Sequence, residues 1–293
     1  MHRSGFVNII GRPNVGKSTL MNVLLGEKLS IVTPKAQTTR HRIIGLLNGD
    51  DYQIVFSDTP GIITDPKYEL HKAMMRPVII SLEDADLILF ITDIFEKEKE
   101  LAGFLDKLSV IPQPKILVIN KIDLLKKDEL EIKIEAWAEK NIFSVVIPVS
   151  ALDKINIDKL LDVILKHLPE HPPYYPKDEL TDRNVRYFVS EIIREKIFMN
   201  YKQEIPYSCE VMVTEYQESK DIDRIRAEIF IERESQKAII IGKKGSALKK
   251  IGIESRADIE NLVGKQVFLE LFVKVKQNWR DDERILKGLG YPL

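Results

Sequence analysis

Along roughly the first 170 residues, short continuous apolar runs alternate with amphipathic stretches of helical period. Runs of this length that end at turn-forming residues fit strands buried on both faces. Predicted strands lie at 5–10, 43–47, 53–57, 87–92, 115–120 and 144–149. Predicted helices lie at 17–25, 70–84, 97–108, 128–139 and 157–168. Strand and helix in regular alternation predict an α/β domain around a mainly parallel sheet. At 171–176 the sequence His-Pro-Pro-Tyr-Tyr-Pro cannot continue a helix and reads as a stiff linker. The expected division is therefore a first domain at 1–170, a linker at 171–178 and a second domain at 179–293.

The second part has another rhythm. A helix is predicted over 183–199, then alternating strands near 207–216 and 224–232. Two helical turns flank Gly242-Lys243-Lys244-Gly245, and a last strand runs over 267–275. In that strand Val267, Leu269, Leu271, Val273 and Val275 face one way, with Glu270 and Lys274 on the other side. The order is no longer βαβ, so a smaller α+β domain is expected.

Composition narrows the class. A length of 293 residues suits about two domains, and 44% hydrophobic with 30% charged residues is the composition of a globular protein in water. No apolar run approaches the ~20 residues that span a bilayer, and the first predicted strand begins too early to leave room for a leader peptide. The single cysteine, Cys209, cannot form an internal disulfide, which suits a reducing cytoplasm. It shares one side of an alternating stretch with Tyr207, Val211 and Val213, and so reads as a buried thiol. The formal net charge of -1 excludes general attraction to polyanions, so any such binding needs a local patch.

One such patch and one phosphate cradle stand out. Gly11-Arg12-Pro13-Asn14-Val15-Gly16-Lys17-Ser18 matches the phosphate-binding loop, between a predicted strand and a predicted helix. Its glycines let backbone N–H groups wrap a phosphate, and the helix N-terminus, through Thr19, adds partial positive charge. Lys17 can reach the β- and γ-phosphates, and the Ser18 hydroxyl can ligate Mg²⁺. The loop does not choose a base; Asn120-Lys121-Ile122-Asp123, at the end of a predicted strand, does. A carboxylate at Asp123 accepts two hydrogen bonds from guanine, whereas adenine would leave it facing an acceptor, at a cost of a few kcal/mol when buried. Ser150-Ala151 follows another strand and would complete the base pocket through a backbone N–H. Asp58-Thr59-Pro60-Gly61 also stands at a strand end, where Asp58 can hold Mg²⁺ through water and the Gly61 N–H can meet the γ-phosphate. Between these lies Gln37-Thr38-Thr39-Arg40, from which either threonine hydroxyl could complete the metal shell and be released with GDP.

Together these motifs resemble the Ras-like translation-factor class of GTPases. The resemblance implies GTP/GDP and Mg²⁺ as ligands, with Lys17, Ser18, Thr39, Asp58, Gly61, Asn120, Lys121 and Asp123 on functional positions and Lys17, Thr39 and Gly61 nearest the reaction. One departure stands out: many relatives carry glutamine after the glycine of the third motif, and this chain has Ile62. Isoleucine cannot orient water, so slow hydrolysis is expected. Asn14 occupies the position where related GTPases without the glutamine help hold K⁺, which makes K⁺ a candidate further ligand.

The local patch is in the second domain. From 236 to 276 there are nine Lys/Arg against four Asp/Glu. A Gly-x-x-Gly loop alone is most often a plain turn, but here apolar helical turns flank it and a strand follows. Small residues let a nucleic-acid backbone approach, and Lys243 and Lys244 offer charge without base specificity. Ile241, Gly242, Lys243, Lys244, Gly245 and Lys249 are therefore the candidate RNA-binding residues.

A GTPase domain joined to this KH-type domain resembles the Era family of bacterial GTPases. Pro34-Lys35-Ala36-Gln37-Thr38-Thr39-Arg40-His41-Arg42-Ile43, the Ile240-Gly242-Lys243-Gly245 set, and Val273-Lys274-Val275 followed by Trp279 carry the likeness. It implies a GTP-controlled switch that binds the 3′ end of small-subunit (16S) ribosomal RNA and assists maturation of the small ribosomal subunit. It also implies a cytoplasmic, monomeric protein with peripheral association at the inner membrane. Two other readings fit less well. A tRNA-modifying GTPase should carry a second reactive centre, such as a nucleophilic cysteine, and a structural RNA-binding protein with a dead nucleotide fold should lack Lys17 or Asp123. The five histidines show no metal-binding pattern, Trp137 reads as packing, and Trp279 as packing or stacking.

Overall fold

A computed structural model describes residues 1–96 and 101–292. The helix expected from 97 is seen as α3 (Ala102–Ser109), and its predicted start at 97–100 lies outside the described residues. The chain forms two compact units. One comprises 1–30, 39–65 and 74–182; the other comprises 31–38, 66–73 and 183–293.

The first unit is a six-stranded sheet in the order β2-β3-β1-β4-β5-β6. Its strands are β1 (Arg3–Gly11), β2 (Ile43–Asn48), β3 (Tyr52–Asp58), β4 (Leu87–Asp93), β5 (Lys115–Asn120) and β6 (Val145–Pro148). All neighbours are parallel except β2 and β3, which a short turn joins as an antiparallel pair. The continuous apolar runs become strands covered on both faces, as in β4, where Leu87, Ile88, Leu89, Phe90 and Ile91 are fully buried. Helices α1 (Lys17–Leu25), α2 (Glu69–Glu83), α3, α4 (Lys127–Ala138) and α5 (Ile157–His167) fall where the period predicted them. Val78, Leu105, Leu108 and Trp137 from three of these helices share a core with Ile10, Phe90 and Leu117. Trp137 is thus packing, as its amphipathic setting indicated. Strand order reverses around β1, which opens a crevice at the C-terminal strand ends.

Residues 171–178, expected as a linker, are part of this unit. The Gln53 side chain binds the stretch at both ends of its amide: Oε1 accepts from the N–H groups of Tyr174 (2.7 Å) and Tyr175 (2.9 Å), and Nε2 donates to the Tyr175 carbonyl. A buried amide thereby satisfies backbone groups that prolines keep out of regular structure.

The second unit packs α6 (Val185–Asn200), α7 (Ile205–Ser208), α8 (Glu234–Ile241) and α9 (Ser246–Val263) against a three-stranded sheet, β7-β8-β9. Its strands are β7 (Glu210–Gln217), β8 (Ile222–Ile231) and β9 (Gln266–Val275). The pair β7–β8 is antiparallel, and β8–β9 is parallel, so a crossover is required between the latter two. That crossover is α8, the Gly242–Gly245 loop and α9. The alternation of β9 places Val267 and Val273 in the core with Ile193, Ile197, Ile240, Ile251 and Ile259. The strand expected from 207 begins only at Glu210. Pro206 at the start of α7 fixes a helical φ and turns Tyr207 and Ser208 into one helical turn. Cys209 is buried and donates to the Pro206 carbonyl at 3.3 Å, a structural thiol. Trp279 is fully buried with its indole N–H on the Ser208 carbonyl, which decides for packing over stacking. A short α10 (Glu283–Gly288) follows, capped by Asp282. Among the described residues no helix is long and apolar enough to cross a membrane, and no cluster of His, Cys, Asp or Glu could hold a metal by itself.

Candidate functional site

The nucleotide site is built at the C-terminal ends of β1, β3 and β5 with the start of α1. β1 ends at Gly11, where a Cβ would stand 2.2 Å from the Ile91 carbonyl oxygen, so only glycine lets the chain leave the sheet there. Asn14 (φ 66°) and Gly16 (φ 101°) curl the loop through left-handed conformations. A Cβ on Gly16 would meet the Asn120 amide at 2.1 Å. The first backbone bond of α1 runs from Leu20 N–H to the Gly16 carbonyl (2.9 Å), which leaves the N–H groups of Gly16, Lys17, Ser18 and Thr19 at the helix mouth for an anion.

Lys17 is buried beneath this loop and donates to the carbonyls of Gly11 (3.0 Å) and Arg12 (2.8 Å). Burial pushes its ammonium down to about 8, against the opposing pull of Asp58 and Glu96. A polyphosphate would restore the full charge.

Three oxygens converge beside it. The Ser18 hydroxyl donates to Asp58 Oδ2 at 2.6 Å, and Thr39 Oγ1 lies 2.9 Å from Ser18 Oγ. Asp58 is fully buried, and its Oδ1 has no hydrogen-bond partner among the described residues. Burial pushes this carboxyl up, while Lys17 and the Ser18, Ser30 and Thr39 hydroxyls hold it down. A buried, half-satisfied carboxylate with two hydroxyls suits a small hard divalent cation such as Mg²⁺. Of the two threonines, Thr39 faces this oxygen set, whereas Thr38 Oγ1 turns away to Thr33 Oγ1 (2.6 Å) and the Lys35 carbonyl (2.7 Å).

Gly61 lies against the loop, where a Cβ would sit 2.7 Å from the Pro13 nitrogen. The next residue, Ile62, donates its N–H to the Gly11 carbonyl at 3.1 Å and buries its side chain in the core. Its side chain is therefore directed away from the phosphate end of the loop.

The base-side residues form one network. Asn120 Nδ2 donates to the Val15 carbonyl (2.8 Å), and Asn120 Oδ1 accepts from Ala151 N–H (3.0 Å). Of the Ser150-Ala151 pair, expected to complete the base pocket through a backbone N–H, Ala151 thus joins its N–H to Asn120. Lys121, at φ 65°, bridges the Asn14 carbonyl (2.7 Å) and Asp93 (2.6 Å). Asp123 is exposed and held by the Ser150 hydroxyl at 2.6 Å, which leaves its other oxygen for a ligand.

The second candidate site is the loop between α8 and α9. Gly242 (φ 71°), Lys244 (φ 52°) and Gly245 (φ 78°) all take positive φ, so the loop turns sharply and pushes both lysine side chains into solvent. A Cβ on Gly242 would meet Ala247 Cβ at 2.6 Å, whereas Gly245 faces open space. From Gly245 a groove of about 420 Å³ runs between α9 and β9, lined by Lys249, Ile253, Arg256 and Phe268 among others. β9 is the edge strand of its sheet and borders this groove. Of the sequence candidates, Ile241 packs partly against the core and serves the loop from behind. Ile253, Arg256 and Phe268 were missed. Helical spacing from Lys249 would have found the first two (i, i+4 and i+7).

With this geometry in place, comparison with known proteins is decisive. A 50S ribosome-binding GTPase model matches residues 6–121 and a KH domain model matches 204–280. GTPase Era of Caldicellulosiruptor saccharolyticus is 48% identical over 99% of this chain and 98% of its own length. The chain belongs to the Era family of GTPases. Its likeness extends to the chloroplastic GTPase ERA1 of Zea mays, 46% identical over 99% of this chain and 71% of the relative. A crystal structure of Era with MgGDPNP and nucleotides 1506–1542 of 16S ribosomal RNA matches this Era-family fold with TM-score 0.93, at 40% identity and full coverage of both chains. The P-loop GTPase domain and the C-terminal KH domain are thus those of Era.

Proposed function

We propose that this GTPase is a switch that, in its GTP form, binds the 3′ end of small-subunit ribosomal RNA and assists assembly of the small subunit. The observation that carries the reading is the pairing, in one chain, of a closed Ser18–Thr39–Asp58 oxygen set with a positively charged glycine loop. The Era structure containing MgGDPNP and a 16S fragment, alike over the whole chain, supports it.

In this reading the Ser18 and Thr39 hydroxyls and the Asp58 carboxylate would hold Mg²⁺, which would supply positive charge against the phosphates of the bound nucleotide. Lys17 and the N–H groups of residues 14–19 cradle the phosphates, and the Gly61 N–H meets the γ-phosphate. Asp123 takes guanine's two N–H groups, with Asn120, Lys121, Ser150 and Ala151 holding the base pocket in shape. With Ile62 directed into the core, hydrolysis is slow and depends on Lys17, the cation and backbone donors. A K⁺ ion at Asn14 would offset charge developing between the phosphates. Turnover should then be faster in potassium than in sodium, and equal rates would remove that ion. RNA is gripped by Lys243, Lys244 and Lys249 on its phosphates while its bases enter the groove along β9. The site of action is cytoplasmic and one copy suffices; peripheral membrane contact rests on the family resemblance alone.

Crosslinking in cells, followed by sequencing of bound RNA, tests this. Reads should concentrate at the 3′ end of small-subunit rRNA; an even spread over ribosomal or transfer RNA would overturn the assignment.

A further inference from the structure

An α-helix leaves its last carbonyls without intrahelical partners, and something else must meet them. Two such ends in the second unit are met by unusual donors. At the end of α6, the carbonyls of Phe198 and Tyr201 both accept from the Lys35 ammonium. A cation is well placed there, since it also meets the negative end of the helix dipole. At the end of α8, the Ile240 carbonyl accepts from the Tyr201 hydroxyl at 2.7 Å. Gly242, where the glycine loop turns, is two residues further on. Tyr201 therefore takes part in both ends, its carbonyl held by Lys35 and its hydroxyl holding Ile240. It is nearly buried, and burial with a contribution from Cys209 pushes the phenol up to about 12, so it remains a donor at neutral pH.

Lys35 lies in 31–38, a stretch that follows α1 in sequence yet is part of the second unit. Two further bonds fasten that stretch to α6. The Val32 N–H donates to Glu195 at 3.2 Å, and the Thr38 carbonyl accepts from Arg194. Arg194 is fully buried and set by Glu191, whose Oε1 accepts from Nε at 2.8 Å. The residue after Thr38 is Thr39, whose hydroxyl stands in the oxygen set of the nucleotide site. In this structure, then, the closed oxygen set and the docked 31–38 stretch occur together.

We propose that Lys35 and Tyr201 are positioning residues that carry the nucleotide state sensed at Thr39 to the Gly242–Gly245 loop. The inference rests on the reading of this chain as a GTP-controlled RNA binder, and it supplies the route. While a γ-phosphate and its cation hold Thr39, the stretch before it stays docked and the Lys35 ammonium fixes the last turn of α6. Tyr201 then braces the Ile240 carbonyl, and the loop keeps the positive-φ turns at Gly242, Lys244 and Gly245. When the γ-phosphate leaves, Thr39 is released, Lys35 withdraws from two carbonyls, and the loop loses its brace.

Lying between two sites does not prove coupling, so the experiment measures the coupling itself. The full chain is titrated with a small-subunit rRNA 3′-end fragment, once with MgGDP and once with Mg²⁺ and a non-hydrolysable GTP analogue. Wild type should bind RNA about fivefold or more tightly with the analogue. In Tyr201→Phe, and separately in Lys35→Met, that ratio should fall to within about twofold of one, with no further fall in the double variant, because both act on one route. RNA affinity in the GDP state should not change. A full wild-type ratio in Tyr201→Phe overturns the relay and leaves the switch standing. No ratio in wild type removes both. An equal loss of RNA affinity in both nucleotide states marks a merely structural role and also overturns the relay. Tyr201→Phe removes a single oxygen, so it decides the matter even where Lys35→Met fails to fold.

Discussion

The nucleotide site and the groove proposed for RNA are built in opposite ways. Around the nucleotide, buried polar side chains are already bonded to one another: Asn120 holds both the phosphate loop and Ala151, Ser18 holds Asp58, and at the rim the buried Ser150 holds the exposed Asp123. Each group has one geometry, and removing it leaves a partner unsatisfied in a low dielectric. Around the glycine loop, the lysines are exposed and the groove wall is apolar side chain and strand edge. There, affinity is a sum of many small, salt-screened terms. A single substitution should therefore be severe at the first site and graded at the second.

The largest effect expected is at the base. Asp123→Asn keeps the shape and the bond to Ser150 but replaces an acceptor with a donor against guanine's N–H groups. GTP affinity should fall by about 2–3 kcal/mol or more, and xanthosine triphosphate, which presents a carbonyl there, should bind better than GTP. Nucleotide titration checks both. GTP affinity within threefold of wild type, on the order of 0.7 kcal/mol, would break the contrast between the sites at its stronger end.

At the groove the two glycines of the loop separate packing from binding. Gly242→Asp meets Ala247 at once and sits at φ 71°, so it should cost about 1–3 kcal/mol of stability as well as RNA affinity. Gly245→Asp meets nothing within 4 Å, and aspartate tolerates a left-handed φ, so the fold should remain while RNA binding weakens by about 1–2 kcal/mol. Replacing Lys243 and Lys244 should flatten the salt dependence by up to about 0.7 for each phosphate that is no longer neutralised. RNA affinity unchanged in Gly245→Asp, with GTP affinity intact, would show that the loop does not touch RNA.

The same difference explains what could be read from the sequence. Strands and helices of the first unit were legible because fully buried parallel strands and one-sided helices leave strong periodic signals. The phosphate loop was legible because backbone wrapping and a buried lysine demand particular residues at fixed spacing. Three things were not. Pro206 turns Tyr207 into a helical turn, a local effect that hid inside an alternating pattern. Phe268 lines the groove from the outward side of a strand, where the pattern reports exposure and not use. Residues 31–38 and 66–73 belong to the second unit, held by Arg194 on the Thr38 carbonyl and by the Arg280 carbonyl, which accepts the Leu70 N–H at 2.8 Å. Such pairings lie more than 150 residues apart in sequence and carry no local signature.

The smallest effect concerns protons, and it tests whether the nucleotide site is as dry as its packing indicates. In the ligand-free protein, burial lowers Lys17 from 10.5 to about 8. The unfolded chain therefore binds more protons between these values, and this group makes ligand-free stability rise as pH rises from about 8 toward 10.5. A bound polyphosphate reverses the balance by favouring the ammonium, so nucleotide binding above pH 8 should take up a proton. Affinity should then fall by about fourfold between pH 7 and 8.5, on the order of 0.8 kcal/mol, as the ligand-free ammonium loses its proton. Calorimetry at pH 8.5 in buffers of different ionisation enthalpy reads the uptake directly, above the titration range of the phosphates. Binding heats that do not depend on the buffer would mean that Lys17 stays charged without ligand, and that the loop carbonyls and Asp58 solvate it as well as water does. The contrast between a buried, pre-bonded site and an open, screened groove would then rest on the bonds of the buried Asn120 and Asp58.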